Sequence, residues 1–202
     1  MGTTIVGPDG KSRCRWYSAA PEFLDYHDTE WGFPVSDVHR LFEKLSLEGF
    51  QSGLSWRTIL AKRENFRAAF HDFDIDRIAR FNQRDIDRLI RDEGIVRHRG
   101  KIEAVINNAQ RAQELVEREG SLAAFIWRYG PDRKQLAKPQ TASISAESLA
   151  LSKDLKKQGW KFVGPTTVYA FMQAMGLIND HVENCVIRVR VERARKNFTR
   201  PA

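Results

Sequence analysis

Cysteine is nearly missing from this chain: 202 residues hold only Cys14 and Cys185, one towards each end. That scarcity excludes a disulfide-stapled scaffold. It leaves two readings of the pair, unrelated buried thiols or metal ligands. Also lacking is any apolar run near the roughly 18 residues that a membrane span needs. Met1 to Lys11 has no basic segment leading into an apolar core, so secretion is not expected either. These gaps point to a cytoplasmic protein with no membrane partner. Alternating strand patterns and internal repeats are missing as well, which leaves helical periodicity as the dominant signal.

What is plentiful is positive charge. Lys and Arg number 33 against 26 Asp and Glu, a formal net charge of +7. Such a balance favours polyanionic partners through phosphate neutralisation, although by itself it discriminates weakly. The length fits one domain or two closely packed lobes.

The helical pattern begins at Asp37 to Gly49, where Val38, Leu41, Phe42 and Leu45 share a face after a Ser36 cap. Ser55 can cap a second helix carrying Trp56, Ile59, Leu60, Phe66 and Phe70 at core spacing. Short helices follow from Asp74 and from Arg84 to Glu93, then a long one from about Gly100 to Glu117. Ser121 opens an aromatic-rich helix through Trp127, and Gly130 to Ser145 reads as a loop. Ser145 to Gln158 is amphipathic. Pro165 opens an almost wholly apolar helix to Gly176, whose composition places it at the centre of the fold. Arg188 to Ala202 reads as a frayed or extended basic tail.

Three clusters carry chemistry. His181 and Cys185 stand four apart, which on a helical turn puts both on one face. With Cys14 and His27 they form a Cys2His2 set suited to tetrahedral zinc, a closed site with no open position for an activated water. Two thiols and two ordinary histidines are the alternative. The second cluster is Glu93-Gly94-Ile95-Val96-Arg97-His98-Arg99-Gly100-Lys101, a glycine-bracketed turn between two helices. A helix start there, with Arg97, Arg99 and Lys101 beside it, suits a phosphate; a solvated basic turn is the competing reading. The third is Glu48, three residues after Leu45 and seven after Leu41, which projects from the apolar face of its helix. A carboxylate there is costly unless partnered. It is a candidate ligand-binding acid or the partner of a nearby arginine, whereas Glu43 has the position of an ordinary surface glutamate. Trp16, Tyr26, Trp31 and Trp56 crowd the same region, as core filler or as the lining of an aromatic pocket.

The strings Cys14-Arg15-Trp16, Asp25-Tyr26-His27-Asp28-Thr29-Glu30-Trp31-Gly32, Leu47-Glu48-Gly49-Phe50-Gln51-Ser52-Gly53-Leu54-Ser55-Trp56, Gly94 to Lys101, Gly159 to Thr166 and Asn179-Asp180-His181-Val182 are long and unusual together. They resemble the bacterial 3-methyladenine DNA glycosylase I family almost continuously from Cys14 to Cys185. The resemblance implies an all-α, helix-hairpin-helix DNA glycosylase fold of two helical lobes, with a zinc site joining the N- and C-terminal segments. It implies a glycosylase domain over 14–187 with the helix-hairpin-helix at about 82–117, which leaves a flexible extension over 1–13 and a basic tail over 188–202. By the same resemblance Cys14, His27, His181 and Cys185 would bind one structural zinc. Glu48 would hydrogen-bond the excised base, Tyr26 and Trp56 would hold its ring, and Trp16 and Trp31 would line the pocket. Leu54 would wedge into the duplex, which adds to the reading from the hairpin's own residues that Arg97, Arg99, Gly100 and Lys101 meet the DNA backbone. The implied activity is monofunctional hydrolysis of the N-glycosidic bond of 3-methyladenine in double-stranded alkylated DNA, by a monomer. Met1 to Arg13, Arg15, Ser52 and the basic tail depart from the family pattern. A glycosylase for another lesion, or a catalytically silent zinc-bearing binder of damaged DNA, are the alternatives.

Overall fold

The computed structural model describes residues 3–132 and 138–202; the first two residues of the expected extension and part of the expected Gly130–Ser145 loop lie outside the described residues. Contrary to the strand-free expectation, the described chain opens with an antiparallel hairpin, β1 (Thr4–Val6) on β2 (Ser12–Cys14), in the register Thr4 to Cys14. Three-residue strands are too short to print an alternation. The expected flexible extension is therefore, over residues 3–13, a built element that delivers Cys14.

A 3-10 turn (Arg15–Ala19) and α1 (Phe23–Asp25) lead into a π-helical turn, Tyr26–Glu30. Wider turns of this kind re-aim successive side chains and recur at functional sites. The central helix is α2 (Val38–Gln51), capped by Asp37, whose side chain accepts from Arg40 N, and not by Ser36. Every residue from Leu41 to Phe50 on it is buried. Ser55 caps the next stretch as expected, but Lys62 breaks it into α3 (Trp56–Ala61) and α4 (Arg63–Ala69). Next come α5 (Ile75–Ile78), α6 (Gln83–Arg91), α7 (Arg99–Glu119) and α8 (Leu122–Trp127). The last three are α9 (Ala146–Lys157), α10 (Pro165–Ala174) and α11 (Val186–Asn197).

Helix α2 lies between two helical groups, packing on α7 and α8 on one side and on α10, itself backed by α9, on the other. Phe50, Phe66, Phe70 and Phe73 form a file of rings 4.6 to 6.4 Å apart that joins α2 to α4 and the turn after it. All four are fully buried, each contributing on the order of 2–3 kcal/mol by area removed from water. Gly176, at φ +77°, ends α10 where a Cβ would sit 2.4 Å from Pro34 N, so only glycine lets this helix end abut the chain entering α2.

The expected tail is in fact α11, which buries Ile187, Val191 and Arg195. Its basic face hides an apolar stripe narrower than the charge around it. No described helix is long and apolar enough to cross a membrane.

Candidate active site and metal centre

The π-helical turn places two neighbours in two sites: Tyr26 faces a cavity, and His27 faces the cluster of cysteines and histidines. In that cluster the ligand atoms of Cys14, His27, His181 and Cys185 all lie within 4.8 Å of one another, and all four residues are buried. Cys14 Sγ is 3.6 Å from His181 Nδ1, and Cys185 Sγ is 3.5 Å from both His27 Nε2 and His181 Nδ1. Bonds of about 2.3 Å to sulfur and about 2.0–2.1 Å to nitrogen give a tetrahedron with an S···N edge of roughly 3.6 Å. The donor set fits a tetrahedral ion in residue type and in spacing. His181 and Cys185 reach it from the loop ahead of α11, with Cys185 as the residue that caps that helix, and not from one helical turn.

Each histidine is oriented through its second nitrogen. His27 Nδ1 bonds Asp28 Oδ1 at 2.7 Å, and His181 Nε2 bonds the Trp31 carbonyl at 2.9 Å. Such partners fix the tautomer and aim the other nitrogen at the ion. Asp28 is gripped in turn by Arg13, whose Nε and Nη2 donate to it at 2.8 to 2.9 Å while Nη1 and Nη2 also donate to Asp9. Burial pulls the Asp28 pKa up, but the bonds from Arg13 and His27 outweigh it and hold it low. The Cys14 thiol is pushed up by its hydrogen bond to Cys185 and by burial, and Cys185 is pulled down by the same bond and by the two histidines. Arg13 was placed by the sequence in a mere extension. Gly32, at φ +87°, leaves room for His181, whose ring a Cβ would meet at 3.3 Å.

The cavity beyond Tyr26 measures about 260 Å³ and is lined by Trp16, Tyr26, Trp31, Glu48, Trp56, Ala170 and the amides of Gln51, Gln140 and Gln173. That lies at the small end of ligand sites, which run from roughly 300 Å³ upward. All five residues expected to form a base pocket are on its walls. Trp16 and Trp31 meet edge-on at 5.0 Å, and Tyr26 and Trp56 lie 5.4 Å apart. Trp56 Nε1 is buried and has no hydrogen-bond partner among the described residues.

Glu48 is buried as its helical position predicts, but its partner is Lys44, one turn earlier on α2, at 2.8 Å, and not an arginine. Periodicity gave no sign of Lys44: with α2 buried on every side, its register marks no solvent face. For the same reason Glu43, expected at the surface, is buried and paired with Arg67 at 2.8 Å. Lys44 also donates to the Tyr26 hydroxyl at 2.9 Å and stands 3.3 Å from the Trp56 ring centroid. Burial lowers the Lys44 pKa against the opposing pull of Glu48, and burial with the Glu48 charge raises that of Tyr26 far above its ordinary value. The three glutamines were missed too. Gln140 is in a loop at φ +55° and, with Gln173, is held by Asp180, so nothing local in the sequence marks either one.

The basic hairpin forms between α6 and α7, with His98 as the cap of α7, its Nδ1 accepting from Lys101 N. Arg97 and Arg99 are half exposed and pair with surface acids at 3.4 to 3.6 Å. Lys101 departs from the expectation of a phosphate contact. Its ammonium turns inward and donates to the carbonyls of Phe50 at 2.9 Å and Ser52 at 2.5 Å, and burial lowers its pKa. The end of α2 leaves carbonyls without helical partners, and a buried cation satisfies them. Lys101 thereby ties the hairpin to the turn bearing Leu54, whose side chain is 42% exposed.

A small aromatic chamber with a buried carboxylate, near an exposed leucine and a basic hairpin on a mostly helical frame, fits the class of helix-hairpin-helix DNA glycosylases. A protein-family model described as methyladenine glycosylase matches residues 16–189. The chain belongs to that family. It is 48% identical over 177 residues to DNA-3-methyladenine glycosylase 1 of Escherichia coli (strain K12), covering 86% of this chain and 95% of that one. A crystal structure of a 3-methyladenine DNA glycosylase I superposes with a TM-score of 0.81 at 47% identity, over 86% of this chain and 98% of the other. A variant of a 3-methyladenine DNA glycosylase I in complex with 3-methyladenine superposes with a TM-score of 0.80 at 37% identity, over 87% and 97%.

Proposed function

We propose that this protein excises 3-methyladenine from alkylated double-stranded DNA by hydrolysing its N-glycosidic bond, as a step of base-excision repair. The observation that carries the reading is Glu48 on the wall of a base-sized aromatic cavity, in a member of the methyladenine glycosylase family. A base inside a duplex must first leave the stack, which costs a few kcal/mol and costs least for a damaged base. Methylation at N3 makes adenine cationic, weakening both its pairing and its bond to the sugar. Glu48 accepts a hydrogen bond from the charged ring, Tyr26 and Trp56 stack on it, and Trp16 and Trp31 close the chamber. Water then adds to the sugar carbon and releases a proton to solvent, the carbon–nitrogen bond breaks, and the base departs neutral with the bonding electrons, leaving an abasic site. After Gly100 the first aspartate in the sequence is Asp132, so the general-base aspartate soon after the hairpin in related glycosylases has no counterpart. Selection of an activated leaving group supplies the specificity instead.

Zinc is the ion that suits the Cys14, His27, His181, Cys185 set, and four protein ligands make its role structural. Leu54 fills the gap the flipped base leaves. Arg97, Arg99 and the helix start at Gly100 hold phosphates. In support, a Cβ at Gly100 would meet protein no closer than 3.4 Å, so no internal contact demands glycine there. Lys101 contributes by anchoring the wedge turn.

Chromatography of the bases freed from methylated DNA tests the reading. The expected product is 3-methyladenine. Tight DNA binding with no free base would instead favour a silent damage binder, and an oxidised base or 3-methylguanine alone would redirect the specificity.

A further inference from the structure

Among the buried charges that the mechanism above leaves unused, the Lys44 ammonium is the one in contact with the recognition carboxylate. Its stem lines a second void of about 120 Å³ behind the chamber, and Tyr26 and Trp56 line both spaces, so these two rings are the partition between them. The other charges around the rear void are already matched. Glu30 pairs with Arg63 at 2.6 Å and Arg40 at 3.3 Å, and Glu43 pairs with Arg67. The carboxylate left for Lys44 is Glu48, on the chamber side. As a device for stability such a pair is poor, because desolvating two charges offsets most of their attraction. The ammonium makes three contacts that matter elsewhere: Glu48 Oε1 at 2.8 Å, the Tyr26 oxygen at 2.9 Å and the face of Trp56 at 3.3 Å.

Building on the base-excision reading, we propose that Lys44 is a positioning residue for base removal, which sets the recognition carboxylate, phenol and indole from behind the chamber wall. Because Oε1 of Glu48 is held by the lysine, Oε2 is the oxygen assigned to the base. Because Tyr26 accepts from the ammonium, its own O–H hydrogen is directed away from Lys44 and is free for another acceptor. The Trp56 face turned to the cation is covered, leaving the opposite face for stacking. Lys44 touches no base atom and acts through these three groups.

The test is base release from methylated DNA by Lys44→Met, which keeps the stem and removes the charge, with its fold checked by circular dichroism. Displacement of recognising groups by about 1 Å costs up to roughly a hundredfold, so kcat is expected to fall by about tenfold or more with KM nearly unchanged. In a Glu48→Gln background the same substitution is expected to add little. Lys44→Ala is expected to recover several-fold with propylammonium chloride and not with 1-propanol, which fills the same space without charge. Equal rescue by propanol, a rise in KM alone, or unchanged turnover in Lys44→Met would overturn the proposal. The unaltered protein gives an independent reading: the nitrogen-15 signal of the Lys44 ammonium is expected to shift when free 3-methyladenine is added, and a signal that stays put counts against the role. A wild type that frees no 3-methyladenine defeats the base-excision reading itself, whereas an active wild type matched by Lys44→Met defeats only the lysine.

Discussion

Tyr26 and His27 are adjacent in the chain, yet the sites they enter are opposites. At the candidate metal centre every donor is answered: two sulfurs and two nitrogens converge, each histidine is aimed by a second bond, and Arg13 holds the aspartate that holds His27. In the chamber the polar groups are left partly unanswered. Glu48 meets Lys44 through Oε1, and Trp56 Nε1 is buried without a partner among the described residues. Full satisfaction suits a clasp that must never open. Buried groups with spare capacity suit a site that waits for a ligand.

The sharpest way to break this contrast is to unmake the clasp. Stripping the metal with chelator, or Cys185→Ser, is expected to cost about 5 kcal/mol or more of stability, since structural ion binding is folding free energy. A denaturant titration reads it, and an unchanged midpoint would contradict a structural ion. Trp56→Ala cuts the other way. It is expected to leave bound metal at one per chain by elemental analysis while slowing base release roughly ten- to a hundredfold, the value of about 1–3 kcal/mol for a stacked base.

Glu30, behind the chamber, sharpens the comparison through pH. Burial opposes its charge, but Arg63 outweighs that and lowers its pKa below the ordinary 4.5. A depressed carboxylate adds stability that is present above its unfolded pKa and lost as pH falls through the folded one. Glu30→Gln is therefore expected to lose about 2 kcal/mol at neutral pH, with the gap to wild type closing only below pH 4.5. A gap independent of pH would deny the ion pair its part. The smallest effect belongs to the surface. Arg97→Ala is expected to lower the salt slope of DNA binding by about one, with both buried sites untouched.

Much of this was legible in the residues. Ser55, Ser121 and Ser145 cap the helices that their positions foretold, because capping is local chemistry. The cysteines and histidines were readable as a ligand set by type, and the family strings brought the pocket aromatics together. What the sequence hid was long-range. Lys44 and Glu43 sit where a one-faced helix would be wet, and only long-range packing dries them, Arg67 of α4 against Glu43 and Tyr26 with Trp56 against Lys44. Lys101 reads as a surface charge until the end of α2 arrives beside it. The final helix was obscured by its own arginines.

The most direct trial is the rate of 3-methyladenine release by Glu48→Ala beside wild type, with affinity for undamaged DNA measured on the same preparations. Release is expected to collapse while DNA affinity and metal content stay as they were. A variant that frees the base as fast as wild type would show that the buried carboxylate does not choose it.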